Sequence, residues 1–458
     1  MFNSVLIANR GEIARRVIRT ARAKGLRTVA IYSDADASAL HVEDADEAHH
    51  IGPADARESY LSIDKVIHAA RESGAEAIHP GYGFLSENAD FADAVASAGL
   101  IFVGPPAQAI RQMADKSLAK QAMADAGVPV LPGYHGNIQD NETLQAAAKN
   151  IGFPVLIKAA AGGGGRGIRL VEKEEKFLKH LKAARREALG SFGDDRILVE
   201  RYVETPRHIE IQIFADNHGN VVHLFERECS IQRRFQKIIE EAPAPGVSEA
   251  LRAKMGEVAI NVARAVDYRG AGTVEFIADG AVSGDDMPFY FMEMNTRLQV
   301  EHPVTEMITG TDLVDWQLQV AAGEPLPLNQ AELQINGSAI EARLYAENPA
   351  KKFLPQPGML DVLKFPYAGP HLRVEQGARE GEEVTIYYDP MIAKLVTWGQ
   401  TRQQATQAMI AALKDTNVEG IQTNLNFLEN IVSHEVYAKG RLDTGFVDRH
   451  FEDLISLD

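Results

Sequence analysis

"FMEMNTRLQVEHPVTE" (residues 291–306) sets Glu293, Asn295, Arg297, Gln299 and Glu301 on every second position. Successive side chains of an extended chain point to opposite faces, so an extended run here lines one face with two carboxylates, two amides and a guanidinium. A strand face that is merely wet usually carries Lys, Thr, Ser and Glu. This one has no Lys or Ser and offers chelating oxygens and a fork-shaped cation instead. On this stretch alone, an amphipathic strand with a solvated face remains an open reading.

The residues before it sharpen the question. "GTVEFIADGAVSGDDMPFYFMEMN" (272–295) reads as two strands joined by a Gly/Asp/Ser turn, with Glu275 and Glu293 equally spaced from Gly284. A hairpin paired about that point brings the two carboxylates face to face at roughly 5 Å between Cβ atoms. A divalent cation relieves their repulsion, and an all-oxygen site with Asn295 beside it suits Mg²⁺ or Mn²⁺ bridging nucleotide phosphates.

Further upstream, "IKAAAGGGGRGI" (157–168) places Lys158 at the end of a strand-like run, followed by a glycine loop. Glycines let backbone N–H groups approach phosphate oxygens with no Cβ in the way. No G-K-[ST] closes the loop, so it is not a Walker motif. A plain surface loop competes with the phosphate reading, which Lys158 and Arg166 favour by flanking the glycines with positive charge. Lys116, in "MADKSLAK", reads from spacing alone as a solvated lysine.

The first hundred residues alternate strand-like and helix-like runs, from "SVLIAN" and "GEIARRVIRTARAKG" to "IFVGP". That alternation predicts a Rossmann-like parallel sheet covered by helices. Its first turn, "ANRGEIA", lacks G-x-G-x-x-G although Asp34 and Asp36 follow the second strand, which argues against a nicotinamide dehydrogenase. A central α+β unit follows, and after about residue 335 "SAIEARLYAENP", "GMLDVLKFP", "EVTIYYDP" and "AKLVTWG" read as strands before the helix "TRQQATQAMIAALKD". The expected fold is therefore α/β and α+β, with a smaller α+β domain last.

Composition narrows the partners. The chain has 458 residues, long enough for several domains with real cores, and its 47 basic against 64 acidic residues give a net charge of −17. That balance disfavours nucleic acid and anionic membrane as partners, while a locally positive cleft can still hold a small anion such as ATP. The lone cysteine, Cys229, excludes an intrachain disulfide framework and reads as a buried small apolar residue. The amino terminus resembles neither a secretory signal nor a membrane anchor, so a cytoplasmic protein is expected, with a mitochondrial matrix location as the alternative if a transit peptide has been removed.

"IANRGEIA", "HPGYGFLSEN", "IKAAAGGGGRGI", "CSIQRRFQKIIEEAPAP", "MEMNTRLQVEHPVTE" and "EARLYAENP" together resemble biotin carboxylase, an ATP-grasp enzyme, along essentially the whole chain. "FLPQPGML" and "EEVTIYYDPMIAKLVTWG" are most similar to the biotin carboxylase part of acyl-CoA carboxylase α-subunits of the methylcrotonyl-CoA type. The resemblance implies a Rossmann-like domain over 1–114, an ATP-grasp domain over 115–330 with a mobile lid at about 132–203, a C-terminal domain over 331–447 and a tail over 448–458.

It also implies roles. Lys116, Lys158, Gly164, Gly165, His208 and the stretch Glu200, Arg201, Tyr202, Val203 would hold ATP, and Glu275, Glu293 and Asn295 would carry two Mg²⁺ (or Mn²⁺) ions. Lys237, Arg297, Gln299 and the Val300 backbone would grip bicarbonate, Glu301 would be the general base, Arg343 would stabilise the biotin ureido oxygen and Tyr82 would lie near the biotin. The implied reaction is ATP-dependent carboxylation of carrier-borne biotin through carboxyphosphate. Implied partners are a biotin carboxyl carrier domain, a carboxyltransferase subunit and a second copy of the chain or a larger complex. An ATP-grasp ligase for another acceptor and a non-catalytic nucleotide-binding module are the competing readings.

Two further expectations concern this sequence itself. No Met-Lys-Met occurs, so the chain is expected to carry no biotin of its own and to be a free subunit or a truncated α-subunit. Phe235 stands where bacterial acetyl-CoA carboxylases have His, and a Phe can make no hydrogen bond to nucleotide. Weakened ATP binding, corrected by Phe235→His, is the expectation, with ring packing on the ribose as its rival.

Overall fold

The computed structural model describes residues 2–160, 168–234 and 236–455, without the side chains of Lys116, Ser117 and Phe192. Gly164, Gly165, Phe235 and the Lys116 side chain therefore lie outside the described residues.

The apolar runs at the start of the chain form β1 (Ser4–Ile7), β2 (Arg27–Ser33), β3 (Glu47–Gly52), β4 (Ala77–His79) and β5 (Ile101–Phe102). They make one parallel sheet in the order β3-β2-β1-β4-β5. β1 is buried throughout, which is why its sequence is apolar without alternation. Helix α1 (Gly11–Ala23) follows β1 directly and buries Ile13, Ala14, Val17 and Ile18. The strand order reverses between β1 and β4, the point at which open α/β sheets bind ligands beyond their carboxyl ends.

A second sheet of four strands follows: β6 (Gly133–Tyr134), β7 (Val155–Ala159), β8 (Arg169–Val171) and β9 (Ile197–Arg201), in the order β6-β9-β7-β8. It has its own small core, in which Leu144, Val155, Ile157, Phe177, Leu181 and Val199 are buried. This unit occupies the stretch, about 132–203, that the resemblance implies is a lid.

The third sheet carries most of the polar chemistry. Its strands are β10 (Pro206–Ala215), β11 (Val221–Arg233), β12 (Gln236–Ala242), β13 (Gly270–Asp279), β14 (Phe289–Asn295), β15 (Ser338–Tyr345), Met391–Gly399 and Leu372–Gln376. The spatial order is β14-β13-β10-β11-β12-β15, then Met391–Gly399 and Leu372–Gln376. The last three come from the stretch that reads as a separate small domain. They instead extend the central sheet, because β12 pairs antiparallel with β15 from Ile239↔Ala342 to Ala242↔Ala339. Pairing satisfies a row of backbone groups that a free edge would leave open.

The hairpin expected about Gly284 is present, with Glu275 directly opposite Glu293 and a bulge in β14 at Met292, since Phe276 pairs with Phe291. The strand reading of 291–306 needs correcting beyond Asn295. β14 ends there, and Glu301 caps the helix His302–Thr309, which has Pro303 in its first turn. A proline at a helix start fits the helical dihedrals and has no N–H to leave unpaired, so the chain turns into a helix where an extended reading would continue it. Tyr387 and Tyr388, in "EVTIYYDP", likewise lie outside the two-residue strand Glu383–Val384. Among the described residues no helix is long and apolar enough to cross a membrane.

Candidate active site

Cross-strand pairing, more than position along one strand, assembles the polar groups. Glu210 lies opposite Arg227 of β11 and opposite Glu275 of β13, and Glu275 lies opposite Glu293 of β14. A row Arg227–Glu210–Glu275–Glu293 thus runs across four strands on one face. Glu210, Arg227 and Glu275 are buried, and buried charges persist only when paired.

Lys237, on β12, is the hub. Its Nζ donates to Glu210 at 2.5 Å, to Glu275 at 2.9 Å, to Glu301 at 2.6 Å and to Gln299 Oε1 at 3.5 Å. Burial opposes its charge, but the three carboxylates outweigh burial and hold the ammonium well above its usual range. Glu275 also accepts from Asn295 Nδ2 at 2.8 Å and Gln299 Nε2 at 3.1 Å. His208 Nε2 lies 3.2 Å from Glu275 and 3.7 Å from Glu210. Burial, the largest single influence, pushes that imidazole down, but the Glu275 charge and the bonds to Glu210 and Glu275 together outweigh it, and the result is about 9, a cation at neutral pH.

Glu301 sits between two cations. Besides Lys237 it accepts from Arg343 at 2.9 Å, and Arg343 also ion-pairs with Glu240. Burial raises the Glu301 carboxyl, and Lys237 and Arg343 lower it further than burial raises it, so it stays ionised. Arg297 donates to Glu87 at 3.0 Å and Asn295 Oδ1 at 3.2 Å. The Val300 carbonyl accepts from Lys394 at 2.7 Å.

Arg343, Arg297 and Val300 line a cavity of about 470 Å³ together with Tyr82 and the loops Asn9–Ile13 and Tyr82–Phe84. Those loops leave β1 and β4, so the cavity occupies the reversal point of the first sheet. Asn9 Nδ2 ties them together through Pro80 O at 2.8 Å and Tyr82 O at 2.7 Å. Gly81 has φ +62°, and a Cβ there would meet Asn9 Nδ2 at 2.8 Å, so the residue is bound to be glycine on both counts. Tyr82 donates its hydroxyl to Glu12.

The second sheet contributes Lys158, whose Nζ reaches Glu200 at 2.6 Å while Lys120 also pairs with Glu200. Glu200 is thereby occupied by its side chain, and Val203 is buried. The Arg201 amide donates to Pro132 O at 2.9 Å and the Tyr202 amide to Pro154 O at 3.2 Å.

The structure therefore brings Lys237, His208, Glu275, Glu293, Asn295, Arg297, Gln299, Glu301 and Arg343 together. It adds Glu210, Arg227, Glu87, Glu240, Lys394, Glu12 and Lys120, which the sequence reading passes over. The alternation of His208, Glu210 and Gln212 within apolar "HIEIQIF" is the signal that could have found Glu210. Cys229 is buried, as its plain reading had it.

A reversing parallel sheet, a small four-stranded sheet and a broad antiparallel sheet bearing paired carboxylates, a lysine hub and a buried carboxylate between two cations define an ATP-grasp ligase. The chain belongs to the biotin carboxylase family. Its residues 1–110 match the "Biotin carboxylase, N-terminal domain" model, 115–329 the "Carbamoyl-phosphate synthase L chain, ATP binding domain" model and 341–449 the "Biotin carboxylase C-terminal domain" model. It is 51% identical to a biotin carboxylase of Halalkalibacterium halodurans over 99% of this chain and 98% of that one. It is 56% identical to the mitochondrial methylcrotonoyl-CoA carboxylase subunit alpha of Dictyostelium discoideum over 99% of this chain, and spans 64% of that relative's length. A solved structure of the biotin carboxylase domain dimer of Hydrogenobacter thermophilus 2-oxoglutarate carboxylase, with MgADP, ADP and bicarbonate, matches with a TM-score of 0.93 and 44% identity over 100% of each chain.

Proposed function

We propose that this chain carboxylates biotin borne on a carrier domain, using ATP and bicarbonate, as the first half-reaction of an acyl-CoA carboxylase. The observation that carries the reading is the unbroken line Glu275–Lys237–Glu301–Arg343, with contacts of 2.9, 2.6 and 2.9 Å, which joins the paired carboxylates to the cavity at the sheet reversal.

Glu275 and Glu293 are neighbours on paired strands with Asn295 next to them, an oxygen-only donor set that fits Mg²⁺ or Mn²⁺. Two such ions would supply charge neutralisation to the triphosphate. Lys158, Lys116, His208, the glycine loop with Gly164 and Gly165, and the stretch Glu200–Val203 hold the nucleotide. Lys237, Arg297, Gln299 and the Val300 backbone hold bicarbonate, whose planar oxygens match the Arg297 fork.

Glu301 takes the bicarbonate proton. An oxygen of the resulting carbonate then attacks the γ-phosphorus, the bond from that phosphorus to the bridging oxygen breaks, and carboxyphosphate and ADP result. Cleavage of the carbon–oxygen bond of carboxyphosphate releases CO₂ and phosphate. The phosphate so released receives the ureido N–H proton of biotin, directly or through Glu301 once that residue has passed its own proton to the phosphate, and the ureido nitrogen bonds to CO₂. Arg343 stabilises negative charge as it develops on the ureido oxygen, and Tyr82 walls the ring.

The partners we assign are a biotin carboxyl carrier domain, a carboxyltransferase subunit and a second copy of this chain or a larger complex. The compartment is the cytoplasm, or the matrix if the chain shares the location for which its relatives are named. Bicarbonate-dependent ADP release, measured with and without free biotin, tests the function. ADP release that needs bicarbonate and rises with biotin supports it. Release that needs an amino acid or a ribonucleotide instead selects the other ligase reading, and no turnover with any acceptor selects the binding module.

A further inference from the structure

Behind Arg343 lie two carboxyls that the reaction does not use. The pairing of β12 with β15 sets Glu240 directly opposite Glu341, which places such side chains roughly 5 Å apart at Cβ. Both are 0% exposed. On its other side Glu341 lies opposite Val396, which packs with Val304 and Ile308, so the pair sits on the face that the helix His302–Thr309 covers. Arg343, two residues beyond Glu341, shares that face, with Lys394 opposite it.

The cations around the pair are committed elsewhere. Lys394 donates to Val300 O at 2.7 Å and lies 3.3 Å from Glu12. Lys237, on β12 itself, is taken by Glu210, Glu275 and Glu301, and Arg373, one strand beyond Val396, by Glu306 and Glu375. Arg343 divides itself between Glu240 and Glu301. Cys229, His302 and Tyr345, which face the pair from β11, the helix above and β15, are all kept uncharged by burial. Neither oxygen of Glu341 has a hydrogen-bond partner among the described residues. Facing buried carboxyls so poorly supplied with positive charge do not both ionise. Burial, the largest influence, and the facing Glu240 hold the Glu341 carboxyl well above its usual range against Lys394 and Arg343. Burial likewise raises Glu240, to about 7, against the pull of Arg343.

We propose that Glu240 is a positioning residue that acts through Arg343, an inference that rests on the function proposed above. While its carboxyl is neutral, the guanidinium is left to Glu301 and to the ureido oxygen of biotin. Once it ionises, a second carboxylate draws on the same guanidinium, and less positive charge faces the acceptor cavity as the ureido oxygen turns negative. Glu341, with no cation bonded to it, is the member of the pair that stays neutral. Neither carboxyl makes or breaks a bond in the reaction. Their effect falls on the carboxylation of biotin, the step that needs Arg343 turned toward the cavity, more than on the cleavage of ATP.

The test measures carboxybiotin and ADP side by side from pH 6 to 8.5, with free biotin, in the unaltered chain and in Glu240→Gln, whose amide cannot ionise. Carboxybiotin formed per ADP is expected to be alike in the two chains at pH 6 and at least three-fold higher in Glu240→Gln at pH 8.5. Dividing by the ADP of the same chain removes any loss of folded enzyme, and comparing the chains removes the pH dependence of biotin itself. A ratio between the chains that stays constant with pH overturns the positioning role. Infrared spectra at pH 6 give a second reading that needs no turnover: the carbonyl stretch of buried, protonated carboxyls should weaken in Glu240→Gln and in Glu341→Gln. A band unchanged in both variants also overturns the proposal. An unaltered chain that forms neither ADP nor carboxybiotin overturns the function itself, a result distinct from the other two because the infrared band is read without substrates.

Discussion

Arg343 has two duties that pull on the same guanidinium. It faces the acceptor cavity, and it holds Glu301 at 2.9 Å while also pairing with Glu240. Arg343→Ala is therefore expected to cost biotin carboxylation about 10²- to 10³-fold, the usual effect of removing one donor from a developing oxyanion. Bicarbonate-dependent ADP release should fall by only about ten-fold, through the weakened grip on Glu301. Parallel assays of ADP and carboxybiotin check this, and equal losses would remove the ureido role. His208 is a second residue with a readable pH signature. Its imidazole rises to about 9 in the folded protein, so the stability it contributes is complete below pH 6.5 and fades as pH rises toward 9. At this scale the sequence motifs pointed to Arg343, Glu301 and Lys237, which the fold brings into contact. They could not show that Glu210 and Arg227 complete the charge balance around Lys237, because those contacts depend on which strands become neighbours.

In the function proposed above, the hairpin β13–β14 is the element on which metal binding would rest. A two-residue alternation and a Gly/Asp/Ser turn reveal the hairpin in the sequence but leave its register open, and it is the bulge at Met292 that sets Glu275 opposite Glu293. The reading of 296–301 as more strand failed because the helix start at His302, marked by Pro303, competes with the alternation and prevails. Gln299 still reaches Glu275 at 3.1 Å, since the turn brings it back over the sheet. Glu293→Gln keeps the shape of the side chain and removes one charge from the donor set. It is expected to raise the Mg²⁺ concentration for half-maximal ADP release about ten-fold or more, with the circular dichroism spectrum unchanged. An unaltered Mg²⁺ dependence would take Glu293 out of the metal site.

Across the molecule, the eight-stranded sheet joins what the sequence divides into a central and a C-terminal domain. Only the β12–β15 pairing reveals that continuity, and pairing between strands about a hundred residues apart leaves no local trace in a single sequence. Ion pairs, buried at Arg16, Glu306 and Glu375, fasten the same region to α1: Arg16 reaches Glu306 at 2.7 Å, Arg373 reaches Glu306 at 2.6 Å, and the exposed Arg19 reaches Glu375 at 2.6 Å. Glu306→Gln takes one carboxylate from Arg16, which keeps Asp312, and one from Arg373, which keeps Glu375, and should cost about 1.5–3 kcal/mol, the range for one hydrogen bond to a charged group, read as a lowered thermal midpoint.

The acid side of the stability profile belongs to other groups. Burial holds His41 and His79 at about 4, so the unfolded chain binds more protons between pH 6.5 and 4. Glu240 and Glu347, which burial raises to about 7, act in the opposite sense over the same window, so the histidine share is read as a difference: the thermal midpoint of His79→Gln should fall less from pH 6.5 to 5 than that of the unaltered chain. Equal pH slopes for the two chains would contradict the buried neutral histidine.

The account stands on one chemical event, attack of a bicarbonate oxygen on the γ-phosphorus with Glu301 as base. Bicarbonate labelled with ¹⁸O reports it directly, because the bridging oxygen of carboxyphosphate stays with phosphorus when CO₂ leaves. Mass analysis of the phosphate released during biotin carboxylation should find one ¹⁸O per phosphate, delivered from bicarbonate, with turnover lost in Glu301→Gln. Phosphate that carries its new oxygen from solvent water would mean that water attacks ATP, and the assignment of Lys237, Arg297 and Glu301 to bicarbonate would fall.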